Sequence, residues 1–133
     1  MVDIALDDSG SGVFQKDISE RQKISIKYLD NIISALKTAG LITTTRGKKS
    51  GYRITRQPDQ IMILDIYKAF EPEIAVVDCM RCNYECELSE TCSSKEFWSG
   101  LNDTVIKYFK SYTLADLVKK QKKKRKQALV SKN

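Results

Sequence analysis

Four cysteines lie within fourteen residues of this 133-residue chain, and they are its only cysteines: Cys79, Cys82, Cys86 and Cys92. The chain contains no histidine. Clustered thiolates are soft ligands that select zinc, copper(I) or an iron–sulfur cluster. In a reducing compartment such a cluster indicates a metal or redox site rather than a disulfide framework. The spacing therefore predicts that this loop binds an inorganic centre.

Three kinds of chemistry fit the four thiols. An all-cysteine site, with Cys82 as the candidate fourth ligand, suits a [2Fe–2S] or [4Fe–4S] cluster or a structural zinc ion. Zinc sites commonly use two C-x2-C pairs and this loop has one, which favours the cluster. Without metal, redox-reactive thiols would need a low pKa. Arg81 is the only cation before Lys95 in an otherwise acidic loop, so that alternative is less favoured.

The charges of the chain are unevenly distributed. Residues 1–57 carry a net charge of +4, residues 58–118 carry −6 and residues 119–133 carry +8. A basic first part suits a polyanionic partner, whereas an acidic middle indicates that the cysteine loop does not lie on nucleic acid. The tail, KKQKKKRKQALVSKN, is predicted to be either a solvated, disordered end or a weak, sequence-independent DNA contact.

Several classes of protein are disfavoured by what the sequence lacks. No apolar stretch approaches the ~20 residues of a membrane span. The short acidic N-terminus does not resemble a secretory signal, so we expect a cytoplasmic protein without a membrane partner. No histidine, phosphate-binding glycine loop or convincing carboxylate pair is present, so we do not expect an enzyme.

The order of the predicted helices and strands in the first part of the chain indicates a DNA-binding fold. Apolar residues at helical spacing (Leu29, Ile32, Ile33 and Leu36) predict a helix over residues 26–39, with Ser25 as its N-cap and Gly40 just past its end. A short helix over residues 15–22 precedes it. Two β-branched segments, residues 41–46 and 52–55, flank a basic glycine-bracketed tip. This order is typical of a winged helix-turn-helix, whose second helix enters the major groove.

The C-terminal part predicts a dimer. A helix over about residues 94–112 follows a shorter one over residues 63–70. Its apolar residues are spaced 3, 4, 3, 4 as in a coiled-coil seam, namely Trp98, Leu101, Val105, Tyr108 and Tyr112. Packing on its own domain is the alternative. We expect a homodimer, which would read a palindromic double-stranded operator.

The predicted fold class is mainly α with a small β-hairpin wing: a winged helix-turn-helix followed by a long C-terminal dimerisation helix. Residues 1–57 form the DNA-binding domain, 58–92 a connecting helix and the cysteine loop, 93–118 the dimerisation helix and 119–133 the basic tail, predicted to be disordered.

These segments resemble the IscR/NsrR/CymR-type winged-helix transcription regulators over residues 1–120. The matching motifs are DISERQ at 17–22, Ile24-Ser25, Tyr28-Leu29-Asp30, Leu36 with Ala39-Gly40-Leu41, Arg46-Gly47, Gly51-Tyr52-Arg53, the three cysteines 79, 86 and 92 with Trp98, and TLADLV at 113–118. The resemblance implies a homodimeric DNA-binding repressor or activator. In its cluster-binding branch, Cys79, Cys86 and Cys92 would ligate an iron–sulfur cluster that senses iron–sulfur status, nitric oxide or redox stress.

The sequence departs from the family pattern in three places. The first helix appears truncated, because the family's begins further upstream with phosphate-contacting residues. Lys95, a poor ligand, stands where some members have a histidine as fourth ligand. Lys48 and Lys49 replace glycines of the wing, which favours charge contact over close backbone approach.

The expected DNA contacts lie on the recognition helix and the wing. They are Ser25, Lys27, Tyr28, Asp30, Asn31 and Ser34 on the helix, and Arg46, Lys48, Lys49 and Arg53 on the wing. Asp30 matches a family position that can accept a hydrogen bond from cytosine N4; its alternative role is an exposed helix residue. Tyr28 is alternatively a core residue.

Three functions are consistent with the sequence. The preferred one is a DNA-binding transcription regulator that senses through an iron–sulfur cluster. The first alternative is a cluster-free regulator of the same fold, controlled by a regulatory protein partner or by thiol oxidation. The least favoured is a small iron–sulfur electron carrier, which would leave the basic helix-turn-helix unexplained.

Overall fold

A computed structural model describes residues 1–7, 10–45 and 50–130 of the chain. Within these residues, six α-helices and one β-hairpin follow one another. Their bounds are α1 Val2–Ala5, α2 Gln15–Gln22, α3 Ile26–Thr38, β1 Ile42–Thr44, β2 Tyr52–Ile54, α4 Ile63–Lys68, α5 Lys95–Lys110 and α6 Leu114–Val130. Single 3-10 turns lie at Pro58–Gln60 and Asp78–Met80. The predicted fold class, mainly α with a β-hairpin wing, is confirmed.

Local signals set the bounds of α3. The hydroxyl of Ser25 accepts a hydrogen bond from the N–H of Tyr28 at 3.2 Å, which satisfies a free donor of the first turn. Leu29, Ile33 and Leu36 are buried on one face. After the helix, Gly40 adopts a φ of 67°, the left-handed conformation that glycine favours past a helix end.

The wing hairpin is antiparallel, with Ile42 opposite Ile54 and Thr44 opposite Tyr52. Val13 adds a third short pairing, because its N–H and C=O both bond to Tyr52 at 2.9 Å. The chain comes so close here that a Cβ on Gly51 would lie 2.6 Å from the carbonyl carbon of Gly12. Glycine is therefore required where the wing meets the segment before α2.

The core joins both ends of the chain. Leu36 and Leu41 of the helix-turn-helix are fully buried together with Ile61 and Leu114. The N–H of Leu114 donates to the carbonyl of Ile61 at 2.8 Å, which attaches the start of α6 to the segment before α4. Packing therefore crosses the boundary predicted at residue 57, and α6 belongs to the same core as the winged helix.

The structure differs from the prediction most at the C-terminus. Residues 119–130, expected to be part of a disordered tail, continue α6 as a helix to Val130. Lysine, arginine, glutamine and alanine are good helix formers, and extending a helix from a packed start is far easier than nucleating one. That start is capped: Asp116 accepts from the N–H of Thr113 at 2.9 Å, and the hydroxyl of Thr113 accepts from the N–H of Asp116 at 3.3 Å.

Other bounds differ by small amounts. The first helix spans a single turn, and both strands are shorter than predicted. No helix in the described part of the chain is long and apolar enough to cross a membrane.

Candidate DNA interface and cysteine site

The predicted DNA contacts on α3 share one exposed surface. Lys27, Tyr28, Asp30, Asn31 and Ser34 are all exposed. Tyr28 is 60% exposed, so its alternative role as a core residue is wrong. The hydroxyl of Ser25 is exposed but already holds the N-cap bond. Direct contact with DNA stays a prediction for all six residues.

Asp30 has a partner that the sequence did not suggest. The side-chain amide of Gln15, at the start of α2, donates a hydrogen bond to Asp30 and reaches the carbonyl of Ile26 at 3.5 Å. This bridge connects the two helices of the helix-turn-helix near the N-terminus of α3. A carboxylate can accept several hydrogen bonds, so the bond from Gln15 leaves Asp30 further acceptor capacity.

The wing is described only in part. Arg53 is exposed on β2, opposite Thr43. The base of the hairpin is fastened by Thr45, whose hydroxyl accepts from the N–H of Gly51 at 2.9 Å and donates to the carbonyl of Ser11 at 3.0 Å. Arg46, Lys48 and Lys49 lie outside the described residues, so their predicted phosphate contacts stay predictions.

Three of the four cysteines line one cavity of about 360 Å³ between the Asp78–Met80 turn and the start of α5. They are Cys79, Cys86 and Cys92, the three that the family resemblance selected. The rest of the wall is formed by Met80, Tyr84, Glu85, Ser89 and Lys95. Loop turns hold this arrangement, since the carbonyl of Cys92 accepts from the N–H of Lys95 at 3.3 Å and that of Cys86 from Ser89 at 3.0 Å.

Cys82 is directed elsewhere. Its N–H donates to a carboxylate oxygen of Glu73 at 3.0 Å, and Cys82 is not part of the cavity wall. A hydrogen bond from the thiol to Glu73, together with the negative charge of that carboxylate, raises the pKa of Cys82. Metal ligation requires the thiolate. The role of Cys82 as a fourth ligand stays a prediction, and it would require the thiol to leave Glu73.

Arg81 cannot activate these thiols either. Its guanidinium lies 3.1 Å from Asp78 and 4.0 Å from Glu73. Its hydrogen bond to Asp78 raises the pKa of Arg81 further. Its positive charge is thus committed to carboxylates, which weakens the case for a metal-free reactive thiol at this loop.

The donor set of the cavity fits an iron–sulfur cluster better than a single ion. Thiolate is the usual ligand of such clusters. A single zinc ion would need its ligands gathered about 2.3 Å from one point. Within the described residues, no three His, Cys, Asp or Glu side chains converge in that way. The three cysteines instead surround one cavity, and three thiolates are donors that an iron–sulfur cluster accepts.

The predicted dimer seam on α5 is only partly covered. Leu101 and Tyr108 are 38% and 64% exposed, and Trp98, Val105 and Tyr112 are half-buried. An adjacent face of α5 packs on the rest of the chain. There the buried Asn102 accepts from the N–H of Val76 at 3.0 Å, and the ring of Phe109 lies 4.9 Å from that of Tyr67.

Comparison with known proteins decides the family. The Rrf2 family, described as "Iron-dependent Transcriptional regulator", matches residues 1–120. The chain belongs to the Rrf2 family. Protein rrf2 of Nitratidesulfovibrio vulgaris strain Hildenborough is 34% identical over 119 residues, covering 90% of this chain and 79% of that protein.

Solved structures of related regulators share this fold. CymR, titled the global cysteine regulator of B. subtilis, superposes with a TM-score of 0.71 at 28% identity, over 89% of this chain and 86% of that one. IscR of T. potens superposes with a TM-score of 0.68 at 28% identity, over 90% and 78%. This Rrf2-family protein is therefore a winged-helix, DNA-binding transcriptional regulator. Its relatives are named as regulators rather than enzymes, which confirms that part of the prediction.

Sequence reasoning missed two residues of this Rrf2-family regulator. Lys95 was considered only as a poor ligand, yet it lines the cysteine cavity with its ammonium group 3.1 Å from the carbonyl of Ser89. Its charge would offset that of thiolate ligands. Gln15 carried no signal beyond its place at a helix start, because its bond to Asp30 spans fifteen residues.

Proposed function

We propose that this protein is a homodimeric, cytoplasmic, sequence-specific regulator that senses through an iron–sulfur cluster in the cysteine cavity. The observation that carries the proposal is that Cys79, Cys86 and Cys92 line one cavity while Cys82 does not. The three thiolates would hold the cluster, of [2Fe–2S] or [4Fe–4S] type. When bound, it would supply a centre whose ligation responds to iron, nitric oxide or oxidants.

The protein's own residues connect this cavity to the dimer helix. The carbonyl of Cys92 accepts from the N–H of Lys95, the first residue of α5, and the Asp78–Met80 turn packs against the same helix. Cys92 precedes the N-terminus of α5, the positive end of the helix dipole, by three residues. A change in what Cys92 binds would therefore act on the first turn of α5.

The helix α5 would transmit this change to DNA. Its partly exposed seam (Trp98, Leu101, Val105, Tyr108 and Tyr112) is the proposed homodimer interface, which would set the spacing of the two α3 helices. Aromatic residues are enriched at the centres of such interfaces. A coupling of about 1–3 kcal/mol between cavity and DNA would change operator affinity roughly 5- to 150-fold.

On the DNA side, the exposed face of α3 would read base edges in the major groove of a palindromic operator. Lys27, Asp30 and Asn31 carry the donors and acceptors suited to this, with Asp30 accepting from cytosine N4. Ser25, Tyr28 and Ser34 would border the same groove. Arg46, Lys48, Lys49 and Arg53 of the wing would contact the flanking backbone.

The first test is anaerobic purification followed by a visible absorption spectrum and iron and sulfide analysis. A brown protein containing both elements is expected. The operator would then be recovered by selection from random duplexes, and its affinity measured with and without cluster. Cys92→Ala is the variant that should no longer respond to reconstitution. Wild-type protein that binds the operator equally in both states would refute cluster sensing.

A second candidate shares the fold but has no cluster. It is supported by the similarity to CymR, which is described as a global cysteine regulator. Here a regulatory protein partner or thiol oxidation would supply the signal. A protein that stays colourless and free of iron and sulfide after reconstitution would favour this candidate.

A further inference from the structure

The second half of α6 carries a dense positive charge. Seven of the eight residues 119–126 are lysine or arginine, and no acidic residue follows Asp116. The segment is helical, so lysines four residues apart lie on the same face. Like charges at this spacing repel each other and destabilise a helix. A bound polyanion would remove that cost.

This segment is anchored beside the helix-turn-helix. The buried carboxylate of Asp3 lies 3.5 Å from a guanidinium nitrogen of Arg125 and accepts from the side-chain amide of Gln22 at 2.9 Å. Arg21 lies 3.8 Å from the same carboxylate. Arg125 and the last turn of α2 thus share one partner, and α3 begins only four residues after Gln22.

That position is close to where DNA would pass. In a helix-turn-helix the first helix crosses the DNA backbone, and the N-terminal residues of the second contact the bases. Arg125 pairs with Asp3, whereas no ion pair between Asp3 and a lysine of α6 is seen among the described residues. Lys119, Lys123 and Lys126 follow i, i+4, i+7, share one face and are exposed. We call these three residues the basic stripe.

We propose that the basic stripe is a second DNA-contacting surface that binds backbone phosphates flanking the half-site read by α3. The proposal rests on the proposed DNA-binding function and adds a contact outside the helix-turn-helix and wing. Lysine ammonium groups bind phosphates as point charges without reading sequence. The stripe would therefore strengthen binding to any duplex and place the dimer on its operator.

The test is the salt dependence of binding to the selected operator and to a random-sequence duplex. The variant is K119Q/K123Q/K126Q, since glutamine keeps the helix propensity of lysine. Each lysine–phosphate pair that the variant removes should make the log–log salt slope shallower by about 0.9. Because three such pairs disappear per protomer, the dimer loses six. Over a fourfold rise in salt, the decrease in the variant's affinity should be smaller than that of wild type by a factor on the order of 10³. Lys123→Gln alone should give about a third of the slope change.

The matched control removes the same charge elsewhere. K68Q/K107Q/K110Q changes three exposed lysines on α4 and α5, and its slope should equal that of wild type. A stripe variant with the wild-type slope on both duplexes overturns the proposal, because the stripe then contacts no phosphates. A control that shifts equally also overturns it, because the change in slope then reflects only net charge. If wild-type protein binds neither duplex, the proposed function itself fails.

Discussion

Removing the Asp3 carboxylate should destabilise the whole fold, because it connects α1, α2 and α6. Its side chain is only 6% exposed, while Arg21 and Arg125 are 45% and 50% exposed. Those two arginines stay hydrated when the carboxylate is removed, so each ion pair contributes at most about 1 kcal/mol. The bond from Gln22 to a charged acceptor contributes about 1.5–3 kcal/mol. Asp3→Ala should therefore lower the free energy of unfolding by about 2–4 kcal/mol.

Two further variants separate the contributions. Asp3→Asn keeps an acceptor for Gln22 and should cost about half as much, whereas Arg125→Gln should cost no more than about 1 kcal/mol. The assay is urea unfolding followed by circular dichroism at one protein concentration, since dimer assembly would make the midpoint depend on concentration. An Asp3→Ala protein within about 0.5 kcal/mol of wild type, the range of ordinary surface changes, would refute this reasoning.

Four other changes have defined outcomes. Cys82→Ser should leave the iron and sulfide content after anaerobic reconstitution at the wild-type level, whereas Cys86→Ser should abolish it; equal decreases would contradict the cavity assignment. Ser25→Ala should lower stability to urea by about 1 kcal/mol through loss of the α3 N-cap. Gly51→Ala would place a Cβ 2.6 Å from the carbonyl carbon of Gly12 and should lower the thermal midpoint of unfolding. Gly100→Ala in α5 would place a Cβ with nothing within 4 Å and should raise that midpoint. The reverse order of the two midpoints would refute the close approach at Gly51. The hydrogen bond from the N–H of Cys82 lowers the pKa of Glu73. The ionised Glu73 therefore stabilises the fold fully above the ordinary glutamate pKa, and this stabilisation is lost as pH falls through the lower pKa of the folded state. Glu73→Gln should remove this acid dependence when the free energy of unfolding is measured against pH.

The elements that could be predicted from sequence are those defined by local signals. The apolar period of α3, its cap at Ser25 and its terminal Gly40 all act within a few residues, and the structure confirms them. The tail could not be predicted in the same way. Its composition is that of a solvated charge run, but the contact of Arg125 with Asp3 spans 122 residues. Pairing at that separation leaves no periodic trace in the sequence.

The cysteine site could likewise be predicted only where local signals define it. The spacing of the cysteines predicts that four thiols lie in one loop, but it does not show which of them line the same cavity. The fourth is diverted by Glu73, nine residues upstream, through a backbone bond and a thiol bond. Glu73 is in turn held near Arg81. This local contact, rather than the cysteine pattern, separates Cys82 from the other three.

This separation has a consequence for the ligand set. If Cys82 were to join the cavity, its thiol would have to leave Glu73, and a carboxylate with a lowered pKa would lose a hydrogen-bond donor. Both changes oppose recruitment, and deprotonating a thiol beside a negative charge opposes it further. A group bound by three thiolates meets none of these costs.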